Sequence, residues 1–294
     1  MLAAAAAYHF LAKVSFDDLE KLEGVQGVFD RNGSFPDVIY IASSHPHGIY
    51  TTLDNPEMTA PAIASISDGL YAEYGVRSLL LEGLDEDAVR EYNKKGHILL
   101  SSGNLSESGK RDDMIISSLL NKHSWRLYPG ENKEIQERHY SKRQPIIAIH
   151  RRYQQSLQQI LTKLNQDGIA RPDQRPQLVE SAKRGIEHLR LDSQQEIDMY
   201  LTHEMVNDLY DLGVNQRNRH VYEQAQLCKS QERSPLIVIF GSAHAKLLLG
   251  LFQEGRLGYA ALLPKGYKNP QFSDSVSARM ASEYAIPPVI LKYN

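Results

Sequence analysis

The sequence predicts an α/β fold with a mixed, largely parallel sheet flanked by helices. Three short apolar runs, at residues 38–42, 78–81 and 236–240, have the composition of strands buried on both faces. Between the first two runs, apolar residues recur at helical spacing. A strand, a helix and a second strand at this spacing form a βαβ unit, which requires a parallel sheet.

The composition is that of a globular protein with one large domain or two ordinary ones. Of the 294 residues, 41% are hydrophobic and 23% are charged, so the chain can bury a full core. The net charge of -3 and the pI near 6.4 predict no general affinity for nucleic acid or for an anionic membrane. The single cysteine, Cys228, excludes an internal disulfide and suits a reducing compartment.

The alanine-rich start of the chain, residues 1–7, lacks the positive region of a signal peptide. Its apolar stretch is interrupted by His9 and Lys13. We interpret it as the start of a helix or as sequence added for expression. No apolar run approaches the ~20 residues that a membrane helix needs. These features predict a cytoplasmic location, with secretion by a non-classical route left open.

The first half of the chain alternates between predicted helices and strands. Apolar residues at positions 16, 19, 22 and 25 predict a short helix before the first apolar run. Thr59 and Pro61 then predict the first turn of a helix that ends at Gly75. The next elements are expected at fixed places: a strand at 76–81, a helix at 85–95, a strand at 97–100 and a polar loop at 101–111.

Helical periodicity dominates residues 146–229. We interpret this region as a helical insert or cap within a single α/β domain that spans residues 1–294. Its separate helices are expected at 178–191, 194–212 and 215–227, after a first helix that ends before Pro172. Strand character then returns at 236–240, 259–263 and 288–293, with a helix over 245–252.

Each of the three apolar runs leads into an ionisable side chain. The first is followed by His45 and His47, the second by Glu82 and the third by His244. In open α/β sheets, ligands bind at the carboxyl ends of the strands, so we expect these groups at one edge of the sheet. Two imidazoles and a carboxylate can bind a divalent metal or transfer protons.

Each of these residues taken alone has a simpler interpretation. A histidine after a strand is most often part of a solvated turn, and Glu82 fits a carboxylate that has already reached solvent. The functional interpretation depends on repetition, because small residues precede both His45 and His244. Small residues let the backbone approach a ligand closely. Two strands of one chain that both end in small residues followed by a histidine favour a functional site over two unrelated turns.

A fourth candidate residue is Arg217, in the polar sequence 215–220 at the predicted start of a helix. A guanidinium there can bind an anionic substrate or stabilise a developing oxyanion. The alternative is an exposed, charged helix face, and periodicity does not choose between Arg217 and Arg219. Two other functions lack support: no GxGxxG and no GxSxG sequence occurs, so neither dinucleotide binding nor a nucleophile elbow is indicated.

The order of these residues resembles a superfamily that unites the TraB/Tiki-type proteins, the erythromycin esterases and the ChaN-like haem-binding lipoproteins. Its members carry two strand-terminal GxxH motifs, a Glu that ends a strand after the first motif, and an Arg before the second. Residues 42–45 match the first motif with Ala42 in place of glycine, and residues 241–244 match the second fully. Glu82 and Arg217 match the acidic and arginine positions, and the departure at Ala42 leaves His45 and His47 as alternatives.

The resemblance implies a mixed α/β fold built from two related halves with the site between them. It does not fix one activity, since its members include metal-dependent proteases, metal-independent esterases and a haem binder. We expect a hydrolase of the peptide- or ester-bond type that acts on a small-molecule or peptide substrate. In one version His45 or His47, Glu82 and His244 hold a divalent metal (Zn, Mn or Co). In the other, His45 is the general base without metal and Glu82 orients it, and Arg217 stabilises negative charge in both versions. The alternatives are a non-catalytic ligand- or haem-binding protein and an interaction protein that uses the helical region.

Overall fold

The computed structural model describes residues 14–43, 56–95, 119–166, 174–267 and 284–289. Contacts divide the chain into two compact units. The first unit consists of Met1–Ile135 and Val214–Phe272, and the second of Gln136–Gly213 and Ser273–Asn294. Several sequence predictions lie outside the described residues, namely those for His45, His47, residues 1–7, residues 97–111 and most of residues 288–293.

In the described part of the first unit, six strands form one mixed, mostly parallel sheet in the order β1-β6-β2-β5-β3-β4. Strand β1 pairs antiparallel with β6, and the other pairs are parallel. This confirms the predicted α/β class with a largely parallel sheet. The strands are β1 (Val25–Asn32), β2 (Val38–Ser43), β3 (Ser78–Leu81), β4 (Arg126–Pro129), β5 (Leu236–Gly241) and β6 (Tyr259–Pro264).

The helices alternate with the strands in the first unit and follow one another in the second. In chain order they are α1 (Phe16–Lys21), α2 (Pro56–Tyr74), α3 (Glu86–Lys95), α4 (Lys133–Asn165), α5 (Arg175–Tyr200), α6 (His203–Tyr210), α7 (Arg217–Gln231) and α8 (Ala245–Glu254). A π-helical turn, Asp211–Gln216, lies between α6 and α7, and a 3₁₀ turn, Ser242–His244, lies between β5 and α8.

Both faces of the sheet are buried. Alternate strand residues point to opposite faces, so Ile39 and Ile41 pack on one side with α1, α2 and α3. Val38 and Tyr40 pack on the other side with α7 and α8. Burial on both faces explains why β2, β3 and β5 are continuous apolar runs.

The three strands that lead to His45, Glu82 and His244 are neighbours in the sheet, with β5 between β2 and β3. The connection from β2 through α2 to β3 therefore skips one strand of the sheet. The skipped strand is β5, which comes much later in the chain. Leu236 of β5 lies in register with both Val38 and Ser78, so these three strands are parallel and their carboxyl ends share one edge.

Several element boundaries differ from the predictions. Helix α1 ends at Lys21 because Leu22 is already extended (φ -61°, ψ 137°), and Val25 belongs to β1. Helix α2 begins at Pro56, so Thr59 lies inside it rather than at its cap. Gly75 ends that helix with a φ of 68°, as predicted.

The described part of the second unit is helical except for residues 284–289. Its core packs the apolar face of α4, which includes Ile146, Ile149 and Tyr153, against Ile186 and Ile197 of α5. The two helices expected at 178–191 and 194–212 are instead the long α5 and the short α6, separated by Leu201 and Thr202. The Thr202 side chain accepts a hydrogen bond from the amide of Met205 and so caps α6. Helix α7, the last part of the predicted insert, belongs to the first unit.

No helix within the described ranges combines the length and the apolar character that crossing a bilayer requires.

Cys228 lies on α7 in the core of the first unit, with only 1% of its surface exposed. Burial raises the pKa of its thiol, so little reactive thiolate is present at neutral pH. We expect iodoacetamide at pH 8 to modify the native protein at least ~10-fold more slowly than the urea-unfolded protein. Mass spectrometry measures the modification, with a free cysteine derivative in the same solutions as the control. Equal rates for native and unfolded protein would contradict the buried position.

Candidate functional site

The edge of the sheet where β3 and β5 end carries the first candidate carboxylate, Glu82. The backbone amide of Glu82 donates to the carbonyl of Ile239 at 3.0 Å, which holds the end of β3 beside β5. The side chain then turns toward the same neighbour, and its Oε2 accepts a hydrogen bond from the amide of Gly241 at 2.5 Å. Glu82 is therefore fixed at the edge predicted from the sequence rather than released into solvent.

Arg217, the first residue of α7, pairs with two carboxylates. Its Nη2 lies 2.6 Å from Oε1 of Glu82, and its Nε lies 2.8 Å from Oε2 of Glu131. Nη2 also donates to Oε1 of Glu131, so the contact with Glu131 is bidentate. The guanidinium carbon lies 5.3 Å from the centre of the Phe240 ring, within the range of a cation–π contact. Arg219 is exposed, so of the two candidate arginines it is Arg217 that joins this site.

The three charged side chains are largely removed from solvent. Exposed fractions are 19% for Arg217, 10% for Glu82 and 1% for Glu131. Burial alone disfavours the charged guanidinium, but the two carboxylates outweigh it and raise the pKa of Arg217 above its ordinary value. Arg217 therefore stays charged, and the set of three carries one net negative charge when both carboxylates are ionised.

Glu131 is a member of the site that the sequence analysis missed. It follows β4, and the amides of Gly130 and Glu131 both donate to the carbonyl of Leu84, at 2.9 and 3.0 Å. The chain at Gly130 passes so close to β3 that a Cβ there would lie 2.1 Å from the carbonyl oxygen of Leu81. No continuous apolar run marks this strand end in the sequence, because β4 has only four residues and begins with the exposed Arg126.

His244 is the other predicted side chain that the structure describes. It lies in the 3₁₀ turn after β5 and is 3% exposed. Its Nδ1 lies 2.8 Å from Oδ1 of Asn218, and its ring meets the edge of Phe240 with the ring centres 4.8 Å apart. The Tyr40 hydroxyl donates to the carbonyls of Phe240 and Gly241 and so fixes the end of β5 from the neighbouring strand. Burial, and next the charge of Glu82, raise the pKa of Tyr40 well above its ordinary value, so it remains a donor.

Glu82, Arg217 and His244 belong to one closed circuit of contacts. Arg217 binds Glu82, and its neighbour Asn218 binds His244. Glu82 in turn binds Gly241, three residues before His244. The structure thus brings these three predicted residues to one edge of the sheet.

A π-helical turn, Asp211–Gln216, directly precedes Arg217. Such turns are rare and are often found at functional sites, because the extra residue shifts the positions of the side chains that follow. The turn is local evidence for a specialised start of α7.

The described donors do not make a metal site by themselves. Across the ranges that the structure describes, no group of three or more His, Cys, Asp or Glu side chains is arranged to hold a metal ion. Both oxygens of Glu82 already accept hydrogen bonds, from Arg217 and from Gly241. The suggested ligands His45 and His47 lie outside the described residues. That His45, His47, Glu82 and His244 bind a metal therefore stays a prediction.

Comparisons of this chain with protein-family models, with curated proteins and with solved structures found no match. The class that fold and site define is therefore an α/β protein with a buried imidazole and a guanidinium–carboxylate cluster at the carboxyl edge of its sheet.

Proposed function

We propose that this chain is a hydrolase of the ester- or peptide-bond type in which His244 is a general base and Arg217 stabilises negative charge on the substrate. The observation that supports the proposal most is that adjacent residues at the start of α7, Arg217 and Asn218, bind Glu82 and the buried imidazole of His244, while Glu82 also binds Gly241. The order of the same residues resembles the superfamily that includes the erythromycin esterases, which supports the same class of reaction.

The imidazole has the arrangement that a general base needs. In our proposal Oδ1 of Asn218 accepts a hydrogen bond from Nδ1 of the neutral ring, which leaves the lone pair on Nε2. In our proposal, Nε2 takes a proton from a water molecule as the water oxygen attacks the substrate carbonyl carbon. The same proton then passes to the leaving alcohol or amine as its bond to that carbon breaks.

Arg217 supplies the complementary charge. Negative charge develops on the carbonyl oxygen during the attack, and a guanidinium already held in place stabilises it without reorganisation. Glu82 and Glu131 fix the guanidinium through its Nη2 and Nε atoms. In this reaction the two carboxylates position Arg217, and neither is a nucleophile.

The first motif contributes a second imidazole in our proposal. Ser43, the last residue of β2, lies in register with Gly241 at the end of β5. His45 and His47 follow Ser43 in the sequence by two and four residues. We propose that one of them shares the proton transfer with His244. Variants at His45 and His47, measured separately, are expected to show that only one of the two reduces turnover.

The test is a turnover assay with p-nitrophenyl esters of increasing acyl length and with fluorogenic peptides. We expect turnover of one of these classes by the wild-type protein. His244→Ala and Arg217→Lys are each expected to reduce kcat/KM by about 100-fold, because the base or the bidentate guanidinium is lost. His188→Ala, at an exposed position on α5, is the matched control and is expected to leave turnover unchanged.

Two further measurements make the assay decisive. Activity is expected to persist after dialysis against a chelator, since no step uses a metal. Absence of turnover with every substrate, or full activity of His244→Ala, would contradict the proposal. A Soret band in the purified protein would instead support the haem-binding alternative.

We also propose a cytoplasmic location for the chain. Its only cysteine, Cys228, is buried and free, which suits a reducing compartment. Fractionation of the source cells, with the chain detected by antibody, tests this location.

A further inference from the structure

We propose that Asn218 is a positioning residue that holds His244 in the Nδ1-protonated tautomer, an inference that rests on the proposed role of His244 as a base. The two side chains meet through a single contact of 2.8 Å between Nδ1 of His244 and Oδ1 of Asn218. Both are buried, with 3% and 1% of their surfaces exposed. Water is therefore a poor competitor for this hydrogen bond.

The contact is held from both sides. Asn218 is the second residue of α7, next to Arg217, whose guanidinium is fixed by two carboxylates. His244 lies in the turn that starts α8, and the Phe240 ring meets its imidazole at an angle of 79°. With its ring plane and its Nδ1 partner fixed, His244 presents Nε2 in one direction.

The chemistry of the pair assigns the tautomer. With Oδ1 of Asn218 facing Nδ1 of the ring, the contact is a hydrogen bond when the imidazole carries its proton on Nδ1, because a carbonyl oxygen accepts and does not donate. The other tautomer would place two acceptors face to face and would remove the lone pair from Nε2. A base with its lone pair on the wrong nitrogen loses most of its catalytic effect, which is the principle behind oriented histidines in hydrolases generally.

Asn218 is poorly explained as a packing residue. Its Nδ2 is a buried donor that has no hydrogen-bond partner among the residues that the structure describes. A half-satisfied buried amide costs stability, and α7 buries a second polar side chain, His220, beside the apolar Val221 and Ala225. Among the described residues, the contact with His244 is the hydrogen bond that engages the Asn218 side chain, through its Oδ1.

The direct test is the tautomer itself. Nitrogen-15 NMR of protein labelled in its histidines distinguishes Nδ1–H from Nε2–H, and the loss of signals in His244→Gln assigns the resonance. At pH 8 we expect Nδ1–H in the wild type and in Asn218→Asp, which keeps the acceptor oxygen. In Asn218→Leu we expect the ring to change to Nε2–H, the commoner form of free imidazole. A wild type with Nε2–H, or an Asn218→Leu variant that keeps Nδ1–H, would overturn the proposal.

The kinetic test separates positioning from folding. Asn218→Leu is expected to lower kcat by about 10- to 100-fold with little change in KM, and Asn218→Asp is expected to restore most of the loss. Asn121→Leu, at an exposed position away from the site, is the matched control. A general loss of structure would lower the amount of active enzyme in both Asn218 variants, which Asn218→Asp rescue contradicts.

The two proposals fail in different ways. Full kcat in Asn218→Leu, together with inactive His244→Ala, would overturn the positioning role and leave the hydrolase intact. Absence of turnover in every protein would overturn the hydrolase, while the change of tautomer in Asn218→Leu would still support the positioning of His244 by Asn218.

Discussion

Gly130→Ala is expected to destabilise the protein by about 2–4 kcal/mol and to weaken the contact between Glu131 and Arg217. A Cβ at position 130 would lie 2.1 Å from the carbonyl oxygen and 2.7 Å from the carbonyl carbon of Leu81. Both atoms are backbone atoms, so no side chain can rotate away to make room. The chain after β4 has to move away from β3, and Glu131 moves with it.

Urea denaturation followed by circular dichroism measures the loss in stability. Gly250→Ala in α8 is the matched control, because a Cβ there meets no atom within 4 Å. Alanine is the better helix former, so this control is expected to raise stability by up to about 1 kcal/mol. A Gly130→Ala midpoint equal to that of the wild type would show that the close approach of β4 to β3 is wrong.

Arg217→Met is expected to cost about 3–5 kcal/mol, since it leaves two buried carboxylates without their common partner. Glu82 and Glu131 are held within hydrogen-bonding distance of the same guanidinium, and Glu131 is only 1% exposed. Without the guanidinium, both ion pairs are lost, and the carboxylates of Glu82 and Glu131 repel each other in a place with little solvent.

The control for this substitution is Arg90→Met. Arg90 pairs with Asp87 at 3.2 Å on α3, but the two side chains are 76% and 52% exposed. Exposed pairs contribute little, so a change within about 0.5 kcal/mol is expected. Combining Arg217→Met with Glu131→Gln is expected to recover part of the stability, as it removes one of the two like charges. A loss below about 1 kcal/mol for Arg217→Met alone would contradict the buried cluster.

The central strands could be predicted because each carries its own evidence. Residues of β2, β3 and β5 are buried on both faces, so their runs are apolar without a break. The outer strands carry no such signal. Strand β1 at one edge of the sheet mixes buried, half-buried and exposed residues, and β4 at the other edge has four residues beginning with the exposed Arg126.

The site residues that could be predicted are likewise those with a local feature in the sequence. Glu82 and His244 could be found because the end of a strand is a local feature of the sequence. Glu131 could not be found, since it depends on recognising β4. The position of β5 between β2 and β3 and the contact of Asn218 with His244 join residues far apart in the chain, and no local pattern encodes them. The helices of the second unit were predicted as a region, but the break at Leu201 was misplaced because both sides of it are helical in composition.

The first turn of α7 has a consequence for how the site is lost. Adjacent residues, Arg217 and Asn218, anchor the carboxylates on one side and the imidazole on the other. Each helical residue advances the direction of its side chain by about 100°, so a slip of one residue in this turn would break both anchors together. We therefore expect the site to assemble and disassemble as a unit, with no state that keeps the oriented base after the guanidinium has left.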